Sequence, residues 1–197
     1  VLFLSFAGSY RLRLQDTAAL FLRSCRYLLA GLYPIVAGLV ALAPEFLDLW
    51  LGHDFGLNSS PVMRLLTAGI FLHSLAVVPN ALLQATNRPD LTAKLNLVEL
   101  PLYLAGSSFL IIHFGIIGAA TAWLLRAGVD FLFATRFALR LLQQPAAAVH
   151  RLVLLAFAEV ASLAALTLPA PWYVRVVGWL ALSLLHAAVC WWWLLES

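Results

Sequence analysis

Residues 95–139 read LNLVELPLYLAGSSFLIIHF, then Gly115, then IIGAATAWLLRAGVDFLFATRFAL, two apolar runs of 20 and 24 residues. Neither run alternates polar and apolar side chains, so neither is typical of a β-strand. A helix rises about 1.5 Å per residue, so each run is long enough to cross about 30 Å of hydrocarbon. Because Gly115 leaves almost no loop between them, we predict two antiparallel helices packed as a hairpin.

The composition of the whole chain agrees with this stretch. The chain has 197 residues, of which 63% are apolar and 11% are charged, and its mean hydropathy is +0.95. Soluble domains contain about 45–50% apolar and about 25% charged residues. These values exclude a disordered chain, a coiled coil and a water-soluble globule. The net charge of +3 comes without a dense basic stripe, so we predict no nucleic-acid partner.

The apolar pattern predicts an all-α membrane protein with about six transmembrane helices. The six predicted spans are 27–49, 62–85, 95–114, 116–139, 149–168 and 174–195. We expect four parts along the chain: residues 1–10 as the end of a truncated helix, 11–26 as a cytoplasmic amphipathic segment on the membrane surface, 27–139 as a four-helix part, and 140–197 as a two-helix hairpin.

Basic residues in the loops predict the orientation. Nine of the 12 Lys and Arg residues lie before the first span, after the second and after the fourth, which are three loops on one side. The opposite side carries Arg64 and Arg175, and Arg126 lies inside the fourth span. Because cytoplasmic loops are enriched in Lys and Arg, the nine mark the cytoplasmic side. We therefore predict a multi-pass protein of the cell inner membrane, surrounded by membrane lipids.

Charged residues inside the spans are the candidate substrate or coupling residues, because a charge in the bilayer is costly. Arg126 and Asp130 lie four residues apart on one helix face, so they can pair. Glu99 lies in the preceding span and can reach them across the hairpin. Two interpretations stay open: a neutralised pair that locks two helices together, or a site that contacts cargo or a coupling ion.

Two further spans carry polar residues. Glu159 lies centrally in the fifth span, and its expected partner is His186 on the sixth span or an adjacent segment of the chain. We expect a protonated carboxyl group that is hydrogen-bonded between helices. Pro79 and Asn80 in the second span are hinge candidates, because proline frees a backbone carbonyl inside a helix. His73, also in the second span, is more typical of a hydrogen-bonded core histidine than of a ligand.

Known catalytic and metal-binding patterns are missing from the sequence. It has no nucleophile elbow, no Gly-rich phosphate loop and no HExxH motif. Its two cysteines, Cys25 and Cys190, lack metal-type spacing and are expected to be free thiols. We predict no catalytic residues, no metal site, no cofactor and no enzymatic activity.

Turn residues divide the spans. Gly52 is expected to end a helix, and Asn58 to Pro61 are expected to form a turn before the next one. Asn87 to Asp90 form another predicted turn, in which Pro89 bars helix continuation from Arg88.

Three motifs carry a family resemblance. They are APEFLDLWLGHDF at residues 43–55, NALLQATNRP at 80–89 and FGIIGAA at 114–120. In this order and spacing the chain resembles the polysaccharide exporters and lipid-linked oligosaccharide flippases of the MATE-like superfamily. The resemblance implies the C-terminal portion of such a protein: part of its second lobe plus two C-terminal helices.

The resemblance also implies a function. The expected activity is flipping of a lipid-linked oligosaccharide, or export of a polysaccharide precursor, across the inner membrane by alternating access. The implied partners are a polyprenyl-linked glycan substrate and a missing N-terminal lobe of the same protein. The alternatives are a drug or cation antiporter of the same superfamily and a membrane enzyme acting on lipid-linked sugars.

Overall fold

A computed structural model of the chain describes residues 14–86, 89–144 and 146–195. Within them it has six helices and no strand: α1 Leu14–Ala41, α2 Ala43–Leu51, α3 His53–Ala85, α4 Pro89–Leu141, α5 Ala146–Ala165 and α6 Trp172–Leu195. The prediction of an all-α membrane protein is confirmed. The expected truncated helix at residues 1–10 lies outside the described residues.

Four of the described helices are long and apolar enough to cross a membrane. The qualifying segments are Gln15–Ala41, Asn58–Ala85, Ala93–Leu141 and Trp172–Trp191. The third has 49 residues, about twice what one crossing needs. It is interrupted at Gly115, whose φ of 58° and ψ of −135° are not helical. We call the two halves α4a (89–114) and α4b (116–141); with the 20 residues of α5, the described helices supply about six membrane-length segments.

The two halves of α4 form the predicted antiparallel hairpin. Near its closed end, Gly118 lies so close to the Leu110 backbone that an added Cβ would be 2.0 Å from the Leu110 carbonyl oxygen. Farther along, Arg126 of α4b approaches Glu99 of α4a. The left-handed φ at Gly115, which costs glycine little, lets the chain reverse within one residue.

The structure has no helix break at the predicted boundary between a surface segment and the first span. A single helix runs from Leu14 to Ala41 without a turn at Arg26. Ala18, Phe21 and Cys25 are buried at helical spacing on one face, and Tyr33 continues that face two turns later. The segment remains helical because its own apolar stripe packs on the same core as the span that follows.

The first span also ends earlier than predicted. The helix stops at Ala41 rather than near residue 49, and Ala43–Leu51 form the separate helix α2. Pro44 lies in the first turn of α2. Because proline has no N–H and restricts the residue before it, it favours a new helix start over continuation of α1.

The second break falls at Gly52, as predicted, but no turn follows at Asn58 to Pro61. Gly52 has a φ of 91°, caps the end of α2 and precedes α3 directly. α3 then continues through Pro61 and Pro79 to Ala85. Once Gly52 has turned the chain, Pro61 removes only its own backbone hydrogen bond, which a long packed helix tolerates.

The core lies where α1 packs against α3, α5 and α6. Its largest buried side chains include Phe21, Tyr33, Phe71 and Phe131. The Trp179 indole of α6 donates a 2.9 Å hydrogen bond to the Pro34 carbonyl oxygen of α1. These contacts fix α6 against α1, while α4b packs against α3 and contributes side chains to the same core.

Arg64 and Arg175, the two basic residues of the charge-poor side, meet at one end of the bundle. The Arg64 guanidinium donates to the carbonyl oxygens of Val40 (3.1 Å) and Thr167 (3.3 Å). Arg175 donates to the carbonyl oxygen of Ala41 at 3.0 Å and pairs with Glu45. Both arginines therefore satisfy carbonyls at the C-terminal end of α1, where a cation also complements the helix dipole.

Candidate functional site

The structure brings the predicted site residues together with one of the hinge candidates. We call Asn80 of α3, Glu99 of α4a, and Arg126 and Asp130 of α4b the polar cluster. Arg126 lies 11 residues after Gly115 and 15 before the end of α4b, which is about 16 Å and about 22 Å along the helix axis. The cluster is therefore at the middle of the hairpin, far from both of its ends.

Arg126 makes two contacts with α4a. Its Nε lies 4.0 Å from Oε2 of Glu99, which is too long for a hydrogen bond. Its guanidinium lies 5.0 Å above the ring of Tyr103, within range of a cation–π interaction. Because the Arg126 side chain is 36% exposed and that of Glu99 only 7%, the guanidinium keeps donors available for another ligand.

The carboxylate of Glu99 is buried without full compensation. Neither of its oxygens has a hydrogen-bond partner within the described parts of the chain. Leaving a buried polar group unpaired costs about 1–3 kcal/mol, and more for a charged one. If the ion pair of Arg126 and Glu99 only held the two helices together, we would expect its nitrogen and oxygen atoms to lie within hydrogen-bond distance. The geometry therefore favours a site with capacity for a further partner.

Asp130 connects the cluster to α3. Its carboxylate lines one cavity together with the side chain of Asn80, whose amide oxygen finds no hydrogen-bond partner among the residues that the structure describes. This cavity has a volume of about 180 Å³, and its walls also include His73, Asn96 and Trp123.

His73 differs from its expected role as a core histidine. It is exposed, and its ring centroid lies 5.7 Å from that of Trp123 across the cavity wall. The residue is on the outer face of α3 because the neighbouring apolar positions Leu72 and Leu75 take the buried face.

A second cavity, of about 190 Å³, lies between the two halves of α4. Its walls are largely apolar, with Leu102, Leu110 and Leu125 among them, and Arg126 borders both cavities. One cation thus lies where a polar cavity meets an apolar one. This arrangement suits an amphipathic molecule with an anionic or hydroxyl-rich part and a hydrocarbon part.

Sequence reasoning missed several wall residues of the cluster. Tyr103 follows Glu99 by four residues, and Asp130 follows Trp123 by seven. Both spacings keep side chains on one helix face. The wall residues could have been predicted from these intervals, at which polar and aromatic residues repeat within an apolar helix.

The predicted contact between Glu159 and His186 is confirmed. Nδ1 of His186 on α6 lies 2.8 Å from Oε1 of Glu159 on α5. This pair is not part of the polar cluster, because it lines a different cavity with Tyr33 and Ser162. In the described residues, no group of three or more His, Cys, Asp or Glu side chains could hold a metal ion.

Comparison with known proteins finds relatives of one kind. The chain is 34% identical over 86 residues to a protein of Shigella flexneri named as an O-antigen transporter. It is 32% identical over 97 residues to a protein of Haloferax volcanii named as a low-salt glycan biosynthesis flippase. Over these stretches the chain is similar to one protein named as a transporter and to another named as a flippase.

The relationship to these exporters and flippases covers a limited part of each protein. The alignments include 44% and 49% of this chain, and about a fifth of each relative, 21% and 20%. No family model and no solved structure matches the chain. Four described helices that are long and apolar enough to cross a membrane, together with the similarity to two transporter relatives, support a multi-pass membrane protein.

Proposed function

We propose that the intact protein moves a lipid-linked glycan across the inner membrane by alternating access, and that the polar cluster contacts the cargo. One observation carries this proposal. At the middle of the helix hairpin, the part-exposed Arg126 and the buried Glu99, whose carboxylate has no hydrogen-bond partner among the described residues, lie between a polar and an apolar cavity. The names of the two relatives, an O-antigen transporter and a glycan biosynthesis flippase, support the same cargo class.

The chemistry of the cluster fits one part of such a cargo. The guanidinium of Arg126 can donate two parallel hydrogen bonds to a phosphate group. The carboxylates of Glu99 and Asp130 can accept hydrogen bonds from sugar hydroxyls. The polar cavity, at about 180 Å³, is smaller than the about 300–1,000 Å³ of small-molecule sites. It therefore suits a phosphate or one sugar unit rather than the whole cargo.

The hinge proposal concerns the same cluster. Pro79 is buried in α3 and directly precedes Asn80, which lines the same cavity as Asp130. A proline leaves one helix carbonyl without its usual partner, so bending is easier there. A change of bend at Pro79 would move Asn80 relative to Asp130, and this would link the shape of α3 to the charge state and contacts of the cluster.

The test uses the intact protein reconstituted into vesicles that contain a labelled polyprenyl-diphosphate oligosaccharide. Transport is measured as the rate at which the label becomes accessible to a membrane-impermeant reagent. We expect Arg126→Ala to lower this rate about tenfold or more, because a hydrogen bond to a charged group contributes about 1.5–3 kcal/mol. Arg136→Ala removes an exposed arginine ten residues further along α4b and is expected to retain the wild-type rate.

Three results would decide against the proposal. Undiminished transport with Glu99, Arg126 and Asp130 all replaced would remove any role for the cluster. Equal losses in Arg126→Ala and Arg136→Ala would indicate a general charge effect. Accumulation of a fluorescent organic cation, without movement of the oligosaccharide, would favour the antiporter alternative.

A further inference from the structure

The pair of Glu159 and His186 is a second polar site at membrane depth, and the proposed transport does not use it. Glu159 is the 14th of the 20 residues of α5, and His186 is the 15th of the 24 residues of α6. His186 is 8% exposed, and the Glu159 side chain is 13% exposed. Both groups are therefore held well inside the helices, away from either end.

The hydrogen bonds around His186 distinguish its two ring nitrogens. Nδ1 lies 2.8 Å from Oε1 of Glu159, so it carries a hydrogen that it donates to the carboxylate. Nε2 faces Sγ of Cys190 at 3.4 Å, one turn further along α6. In the neutral imidazole, Nε2 is then the nitrogen with the free lone pair, and it is the position that can take up a proton.

The surroundings of the pair fit a positive charge on the ring. The ring centroid of Tyr33 lies 4.5 Å from that of His186, with 32° between the planes. An aromatic face at this distance stabilises a cation. The Tyr33 hydroxyl is held away from the pair by a 2.6 Å hydrogen bond with Ser162, whose own hydroxyl donates to the Glu159 backbone carbonyl at 2.7 Å.

Every element packed around the pair contributes an identified group. α1 supplies Tyr33, whose ring also contacts Phe71 of α3, and α6 supplies Cys190. Within the described residues, Tyr33 and Cys190 are the titratable side chains that interact with the pair. A proton exchanged at this site would therefore change the charge of the pair with no nearby fixed charge to cancel it.

A cavity lies directly beside the pair. A cavity of about 170 Å³ is lined by Tyr33, Glu159, Ser162 and His186 between α5 and α6. A space of this size with several polar groups can hold water. Oε2 of Glu159 has no hydrogen-bond partner in the described part of the chain, so it can accept one from such water.

We propose that His186 and Glu159 form a proton-binding site inside the membrane, in which Nε2 of His186 gains and releases one proton. Without the proton, a carboxylate faces a neutral imidazole and the pair has a net charge of −1. With the proton, a carboxylate faces an imidazolium and the pair is neutral. Because a net charge in the bilayer is costly, release of the proton favours entry of water between α5 and α6, and uptake favours their close contact.

The test measures the protonation of His186 directly and does not need transport. The intact protein, with 15N-labelled histidine, is reconstituted into phosphatidylcholine vesicles and its ring nitrogens are followed by solid-state NMR from acid to alkaline pH. The signals of His186 are assigned by their loss in His186→Gln. We expect Nδ1 to stay protonated throughout and Nε2 to change from an imidazolium to an unprotonated nitrogen.

Variants separate a proton site from a structural contact. Glu159→Gln is expected to lower the fraction of imidazolium at a given acidic pH, because the carboxylate that stabilises the cation is gone. Glu45→Gln, which alters a glutamate at the end of the bundle, is expected to leave that fraction unchanged. Cys190→Ser is expected to shift the Nε2 resonance of the neutral ring and to leave the Nδ1 resonance unchanged. This variant tests the site even if Glu159→Gln does not fold.

Two outcomes would overturn the inference. The first is that His186 keeps one protonation state over the whole pH range in which the protein stays folded. The second is that Cys190→Ser shifts the resonance of Nδ1 rather than that of Nε2. Loss of transport in Arg126→Ala together with a normal His186 titration would leave this site intact. A failed His186 titration with normal transport would remove the proton site and leave the proposed function unaffected.

Discussion

Replacement of Gly118 by alanine tests the hairpin that builds the polar cluster. A Cβ at this position would lie 2.0 Å from the carbonyl oxygen of Leu110, 2.4 Å from its carbonyl carbon and 3.0 Å from the nitrogen of Ile111. These are backbone atoms, so no side-chain rotation can relieve the overlap. At an ordinary contact distance of about 3.5 Å, α4a and α4b must move apart by roughly 1.5 Å.

The size of the effect follows from comparison with Gly106 on the same helix pair. An added Cβ at Gly106 meets nothing within 4 Å. Glycine to alanine inside a helix gains about 1 kcal/mol from propensity at either position, whereas overpacking costs about 1–3 kcal/mol. We therefore expect Gly118→Ala to be less stable than Gly106→Ala by about 1–3 kcal/mol, which is about 5- to 150-fold in the unfolding equilibrium.

The assay is reversible unfolding of the intact protein in mixed micelles of increasing denaturing-detergent fraction, followed by circular dichroism. The midpoint for Gly106→Ala should equal or exceed the wild-type midpoint, and that for Gly118→Ala should fall below the midpoint for Gly106→Ala. Equal midpoints for the two variants would show that α4a and α4b do not approach each other at Leu110, and the positions inferred for the polar cluster would fail with that contact.

Two further predictions concern the other end of the bundle and the orientation. Arg175→Ala should destabilise the protein by about 1–3 kcal/mol in the same unfolding assay, because it leaves Glu45 and the carbonyl of Ala41 without a donor. Glu45→Gln should cost less than about 1 kcal/mol, since its amide oxygen still accepts and the side chain is 40% exposed; similar losses in both would contradict this assignment. A reporter fused after Pro89 should lie in the cytoplasm, and a reporter fused after Ala170 should lie outside the cell. The reverse pattern would exclude the orientation derived from the loop charges.

The helix hairpin shows how far local sequence determined the fold. Two apolar runs of sufficient length, joined by Gly115, have few alternatives in a bilayer, because every backbone group must be satisfied within its own helix. The pairing of Glu159 with His186 was also predictable. Each is an isolated polar residue in an adjacent span, and a lone buried charge is too costly to remain unpartnered.

The helix ends were less predictable, and the errors share one cause. The first described helix continues past Arg26 and stops at Ala41, and α3 passes through Pro61. Hydropathy alone cannot separate a membrane-surface segment from a span that continues it, because both have apolar stripes. The packing of Phe21 in the same core as Tyr33 decided the continuation.

Length and transfer free energy are local properties of a segment, so the membrane location, the number of possible crossings and the charges that need partners follow from the amino-acid sequence. The three-dimensional packing was needed to place Arg126 4.0 Å from Glu99, Asp130 beside Asn80, and Arg64 and Arg175 together at the end of α1. Such distances depend on the rotation and tilt of helices against each other, and these are set by packing between segments far apart in the chain.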